Sequence, residues 1–199
     1  MTLKRVCVFC GSSVGRDPAF AEAARGLGKT LADQGIGLVY GGTSIGLMSI
    51  VADTVLESGG DVTGVIPRAL LDREIAHTGL ADLQIVDSMH ERKARMGELS
   101  DGFLALPGGL GTLEEAAEVL TWAQLRIHTK PCGFLNVAHY FDPLLQMFDR
   151  AVEQGFLSRE HRSMIVVAAE AKDLLEGFRD YSPPADKWGR TETPFRLGT

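Results

Sequence analysis

Short apolar runs alternate along this chain with longer stretches whose apolar positions recur at helical spacing. Val6-Cys7-Val8-Phe9, Leu38-Val39-Tyr40, Val62 to Ile66, Leu83 to Val86, Phe103-Leu104-Ala105-Leu106, Gly133-Phe134-Leu135 and Ile165-Val166-Val167 are the short runs. Each is too short for a helix and reads as a buried strand. Between them the pattern predicts helices over about 18–34, 45–58, 89–99, from Thr112 onward, 142–153 and 169–178. Pro18 suits a first helical turn, since its missing N–H is one that a helix start leaves unbonded anyway. Such alternation predicts an α/β fold: a Rossmann-like, doubly wound, mainly parallel sheet flanked by helices on both faces. Ligands of such sheets bind outside the carboxyl ends of the strands. We expect one nucleotide-binding domain over 1–180 and an extended tail over 181–199, where Pro183, Pro184 and Pro194 interrupt any periodicity.

Three of the strand ends carry permissive turns. Cys10-Gly11-Ser12-Ser13 follows the first strand, Gly41-Gly42-Thr43-Ser44-Ile45-Gly46 the second, and Pro107-Gly108-Gly109-Leu110-Gly111-Thr112-Leu113-Glu114-Glu115 the fifth. Glycines let a backbone approach a ligand where a Cβ would collide. A helix N-terminus adds free N–H groups and the positive end of the dipole, which suits phosphate. Ser13, Gly42 and the turn from Gly108 to Thr112 are therefore candidate contacts to an anionic ligand of nucleotide size, with Glu115 one turn further in. A second reading makes Thr112 an N-cap and Glu115 its partner in a capping box. The dinucleotide spacing G-x-G-x-x-G is absent after the first strand, and Tyr40 and Gly41 stand where an acidic residue would hold ribose. No G-x-x-x-x-G-K-[ST] pattern occurs either, so neither NAD chemistry nor ATP hydrolysis is expected.

Met89-His90-Glu91-Arg92-Lys93 opens the helix expected over 89–99, whose apolar stripe is set by Met89, Met96 and Leu99. Arg92 falls inside that stripe and Lys93 at its border. A charge on a core-facing stripe requires a partner or a ligand. Glu91 is expected to pair with Arg95 at i,i+4 on the solvated face.

Composition narrows the partners. At 199 residues with 45% hydrophobic and 23% charged side chains, the chain fits one soluble globular domain. A net charge of −6 argues against nucleic acid, and no apolar run reaches the ~20 residues of a membrane span. Met1 to Arg5 leads straight into a strand without the pattern of a signal peptide. Three cysteines fit a reducing cytoplasm. Cys7 and Cys10 lie three apart on a strand, so they face opposite sides and read as core residues. The five histidines are scattered, and no metal or other cofactor is expected.

With these residues in view, the chain resembles the Lonely Guy family of cytokinin-activating phosphoribohydrolases, often labelled lysine decarboxylases. Pro107 to Glu115 matches its P-G-G-x-G-T-x-x-E motif, Met89 to Lys93 its M-H-x-R-K motif, and Thr121-Trp122-Ala123-Gln124-Leu125 its T-W-x-Q-L segment. The similarity spans about 5–161. It implies cleavage of the N-glycosidic bond of adenosine or N6-prenylated adenosine 5'-monophosphate, giving free base and ribose 5-phosphate. It also implies Arg92 and Glu115 as the catalytic pair, and substrate contacts from Glu74, Lys93, Gly109, Leu110, Gly111, Thr112, Leu113, Glu114 and Thr121. A homodimer with active sites near the interface follows from the same resemblance. Thr43 and Ser49 depart from the family pattern, which has glycine at both places. A pyridoxal-dependent decarboxylase is not expected, because no local context marks a Schiff-base lysine. The competing class is a nucleotide sensor or carrier without catalysis on the same fold.

Overall fold

The computed structural model describes residues 2–71 and 76–184. Seven strands form one sheet in the order β4-β3-β2-β1-β5-β6-β7, every neighbouring pair parallel. They are β1 (Arg5–Phe9), β2 (Gly37–Tyr40), β3 (Val62–Pro67), β4 (Asp82–Val86), β5 (Gly102–Ala105), β6 (Cys132–Leu135) and β7 (Ile165–Ala168). The helices are α1 (Pro18–Asp33), α2 (Gly46–Glu57), α3 (Arg68–Leu71), α4 (Met89–Leu99), α5 (Leu110–Gln124), α6 (Asp142–Glu153), α7 (Arg159–Ser163) and α8 (Ala171–Arg179).

Parallel strands need crossover helices, and those helices cover both faces. β1 shows the consequence in its alternation. Val6, Val8 and Cys10 enter the core shared with α1, α2 and α8. Cys7 and Phe9 enter the opposite core, with Met96 of α4 and Ala116, Val119 and Leu120 of α5. Cys7 and Cys10 are thus buried on opposite faces, as a strand period of two requires. The chain winds outward from β1 to β4 and then returns to β5 on the other side of β1. That reversal is the topological switch point, where the carboxyl ends of neighbouring strands splay their loops apart.

Some expectations are corrected. The helix expected from Thr112 begins two residues earlier, at Leu110, with Gly109 as its N-cap and no side-chain cap. Met89 is 45% exposed and not part of the buried face of α4, which Arg92, Met96 and Gly97 carry. Glu91 does not pair with Arg95, which instead binds Glu98 at 3.1 Å and Gln84 at 2.8 Å. α3, α7 and a 3-10 turn at Val137–His139 were not foreseen, being too short to display a period. Of the expected tail, Tyr181 to Pro184 are described, and Arg126 Nη2 donates to the Pro184 carbonyl at 2.6 Å. The rest of that stretch, like Glu74, lies outside the described residues.

Candidate active site at the carboxyl ends of β1, β2 and β5

Arg92 reaches the switch point because the start of α4 is fixed. The Ser88 hydroxyl accepts from the Glu91 N–H at 3.1 Å, and the Glu91 carboxylate accepts from the Asp87 N–H at 2.8 Å. A reciprocal cap of this kind stabilises the first turn and sets its direction. Arg92 follows immediately, buried at 8% exposure. Its Nε donates to the Val65 carbonyl at 3.2 Å and its Nη1 to Glu115 Oε1 at 3.0 Å.

Glu115 arrives from α5. Since that helix begins at Leu110, Thr112 sits inside the first turn and Glu115 one turn later, so the carboxylate serves Arg92 and not a helix cap. The capping-box reading of Thr112 and Glu115 is therefore overturned. Glu115 is also 8% exposed, and burial raises its carboxyl above the usual range despite the opposing pull of Arg92. A buried charge pair adds little net stability compared with apolar packing, so its presence points to chemistry.

Space for the guanidinium comes from Gly41 at the end of β2. A Cβ built there would land on Arg92 Nη2, and its next neighbours would be Arg92 Cζ at 3.2 Å and Met48 Sδ at 3.4 Å. Nothing in the sequence separated Gly41 from any other loop glycine.

The turn from Pro107 to Thr112 forms the neighbouring wall. A Cβ at Gly108 would strike Thr112, whereas one at Gly109 or Gly111 would meet nothing within 4 Å. Gly109 and Gly111 thus face open space, and the N–H groups of Gly109, Leu110, Gly111 and Thr112 make no hydrogen bond among the described residues. That is the arrangement an anion requires at a helix N-terminus. Gly11 holds the turn from below by donating its N–H to the Pro107 carbonyl at 3.0 Å.

Lys93 lies beside the pair but is already engaged. Its Nζ donates to Glu114 at 2.7 Å and to Glu118 at 3.0 Å, tying α4 to α5. Burial alone would lower its pKa, but the bonds to Glu114 and Glu118 outweigh that and hold it raised. Gly42 has φ 71 and packs on Val65, Ile66 and Leu83, so its freedom shapes the turn. Ser13 is exposed at the same strand end, and its loop backbone packs against Gly46. Thr43 is buried with its hydroxyl on Met48 Sδ at 3.3 Å, and the Ser49 hydroxyl donates to the Gly46 carbonyl at 3.1 Å. Leu110 is 87% exposed and Leu113 half-buried. Thr121 is exposed about three turns along α5, its hydroxyl bonded to the Ala117 carbonyl at 2.7 Å.

Residues 48–178 match the family model described as "Possible lysine decarboxylase". Over 184 residues the chain is 50% identical to cytokinin riboside 5'-monophosphate phosphoribohydrolase LOG1 of Arabidopsis thaliana, covering 92% of this chain and 86% of that one. It is 48% identical over 180 residues to the phosphoribohydrolase LOG of Oryza sativa subsp. japonica, covering 90% and 74%. This chain belongs to the Lonely Guy family. The fold of this Lonely Guy protein is shared more widely. The molybdenum cofactor binding protein of Rippkaea orientalis aligns with TM-score 0.68 at 20% identity, over 90% of this chain and 98% of that one. The molybdenum cofactor carrier protein of Chlamydomonas reinhardtii aligns at 0.66, again at 20% identity and over 90% and 98%. Likeness at that level is a likeness of fold.

Proposed function

We propose that this protein hydrolyses the N-glycosidic bond of N6-prenylated or plain adenosine 5'-monophosphate, releasing the base and ribose 5-phosphate. The observation that carries the reading is the buried Arg92–Glu115 pair beside an open glycine turn. The names of the relatives at about half identity supply the substrate class.

The roles follow from charge. Breaking the bond builds positive charge on the ribose and negative charge on the departing base. Glu115 stabilises the developing cation or orients the attacking water, and its second oxygen has no hydrogen-bond partner among the described residues. Arg92 opposes the rise that burial imposes on the Glu115 carboxyl and neutralises charge on the base or phosphate. Gly108 to Thr112 hold the 5'-phosphate, so binding far from the bond positions the reacting carbon. Lys93 and Glu114 brace the wall, while Ser13, Gly42, Leu110, Leu113, Thr121 and Glu74 complete our assignment of substrate contacts.

The decarboxylase label fits the residues poorly. A Schiff-base lysine must be a neutral amine, yet Lys93 is held protonated between two carboxylates. Lys130 does have its pKa lowered by burial, but it lies just before the amino-terminal end of β6, whereas the site is at the carboxyl ends of the strands.

We assign the protein to the cytoplasm, a reading supported by free, buried Cys7, Cys10 and Cys132. No described helix is long and apolar enough to cross a membrane. Exposed Met89 and Leu110 beside the site support the expected homodimer, which would cover them. Incubation with AMP, prenyl-AMP and the matching nucleosides, followed by chromatography of free base, tests the function. Release from the monophosphates alone is expected; binding without release would leave a nucleotide carrier.

A further inference from the structure

One carbonyl of the glycine turn is held by a residue far along the chain. Tyr140 Oη donates to the Gly108 carbonyl at 2.5 Å. Tyr140 follows β6 and is preceded by two consecutive non-glycine residues in the left-handed region, Ala138 at φ 48 and His139 at φ 60. Such backbone persists only where the surroundings over-determine it, and it clusters at functional sites. Here the clamp is Asn136, which accepts from the Phe141 N–H at 2.8 Å and donates to Asp142 at 2.7 Å. Two rings steady the tyrosine: Phe20 edge-on at 5.6 Å and Phe141 at 5.0 Å. Phe20 in turn rests on Gly15, where a Cβ would collide with its ring.

The consequence lies in peptide geometry. The Gly108 carbonyl and the Gly109 N–H belong to one planar trans unit and point in opposite directions. Tying the carbonyl to Tyr140 therefore aims the Gly109 N–H the other way, and that N–H has no partner among the described residues. A hydrogen bond to a carbonyl also polarises its amide, which makes the N–H a stronger donor. With Gly11 on the Pro107 carbonyl, both carbonyls at this end of the turn are occupied, and neither is free to repel an anion.

We propose that Tyr140 is a positioning residue for phosphate recognition: its hydroxyl fixes the Gly108–Gly109 peptide so that the Gly109 N–H binds the 5'-phosphate. The inference rests on the reading of the glycine turn given above. Tyr140→Phe keeps the ring contacts and removes only the hydroxyl. Steady-state base release from AMP, with inorganic phosphate as competitor, should show KM and the phosphate inhibition constant rising together by about three- to tenfold, the worth of one hydrogen bond. Turnover number should fall by less than KM rises, since Tyr140 acts on the held phosphate and not on the reacting atoms. A purely structural tyrosine would lower the melting temperature and leave both constants unchanged, and that result overturns the proposal. If the wild-type protein releases no base from AMP, the proposed function fails. Calorimetric binding of inorganic phosphate to both proteins then decides the tyrosine's role: weaker binding by Tyr140→Phe supports it, and equal binding overturns it.

Discussion

Gly41→Ala is the smallest change that reaches the chemistry without touching a charged residue. The added methyl would collide with Arg92 Nη2, so the guanidinium must withdraw by more than about 1 Å to restore ordinary contact. It has nowhere to go without loss, because Val65 holds Nε at 3.2 Å and Glu115 holds Nη1 at 3.0 Å. Losing one hydrogen bond to a buried charge costs about 1.5–3 kcal/mol. For a chain of this size each kcal/mol moves the melting temperature by about 2–4 °C, so a fall of roughly 3–12 °C is expected. The effect on rate should be larger in proportion. A misplacement of about 1 Å in a catalytic group costs on the order of 10²-fold. Thermal melting and chromatographic base release from AMP, on the same preparation, measure both. Turnover within about threefold of wild type would refute the reasoning, since Arg92 would then act from a displaced position or not at all.

Other perturbations separate the parts of the site. Gly111→Ala lies in open space inside a helix and should leave stability unchanged or raise it by up to about 1 kcal/mol, while weakening phosphate binding measured by calorimetry. The raised pKa of Glu115 places the acid limb of kcat/KM above the ordinary carboxylate range, and activity is lost as pH falls through it; a limb at the ordinary position would contradict a carboxyl raised by burial. The same shift makes ionised Glu115 a cost to the fold at neutral pH, relieved as pH drops below its folded pKa. His128 works in the opposite sense. Burial lowers its pKa to about 4, and it sits between the Val119 carbonyl and the Lys130 N–H, so the neutral ring contributes stability that is full above about 6.5 and lost towards pH 4. Melting curves across that window should flatten in His128→Gln.

The inner strands β1, β2, β3, β5 and β6 were legible because they are buried on both faces and so read as short apolar runs, whereas the edge strands β4 and β7 are only partly buried. Arg92 was legible for a related reason: a charge inside an apolar stripe has to be explained. Met89 shared that stripe's spacing and still proved exposed, because periodicity does not say where a helix leaves the sheet. The T-x-x-E pattern at Thr112 suited a capping box as well as a catalytic carboxylate, and only the position of the helix start decides between them. The cap that does form uses Ser88 and Glu91, in the segment read for its basic residues. Gly41 and Tyr140 carried no local signal. Their roles depend on contacts with Arg92 and Gly108, far away in sequence, and a loop glycine or a tyrosine after a strand looks the same with or without them.

The central claim is that the Arg92–Glu115 pair hydrolyses a nucleoside monophosphate held by the glycine turn. Its most direct test is to quantify base and ribose 5-phosphate together from wild type and Glu115→Gln, with substrate binding measured alongside. Wild type should yield equal amounts of both products. Glu115→Gln should bind substrate but turn over about 10²–10⁴ times more slowly. Near-native product formation by Glu115→Gln would contradict the claim.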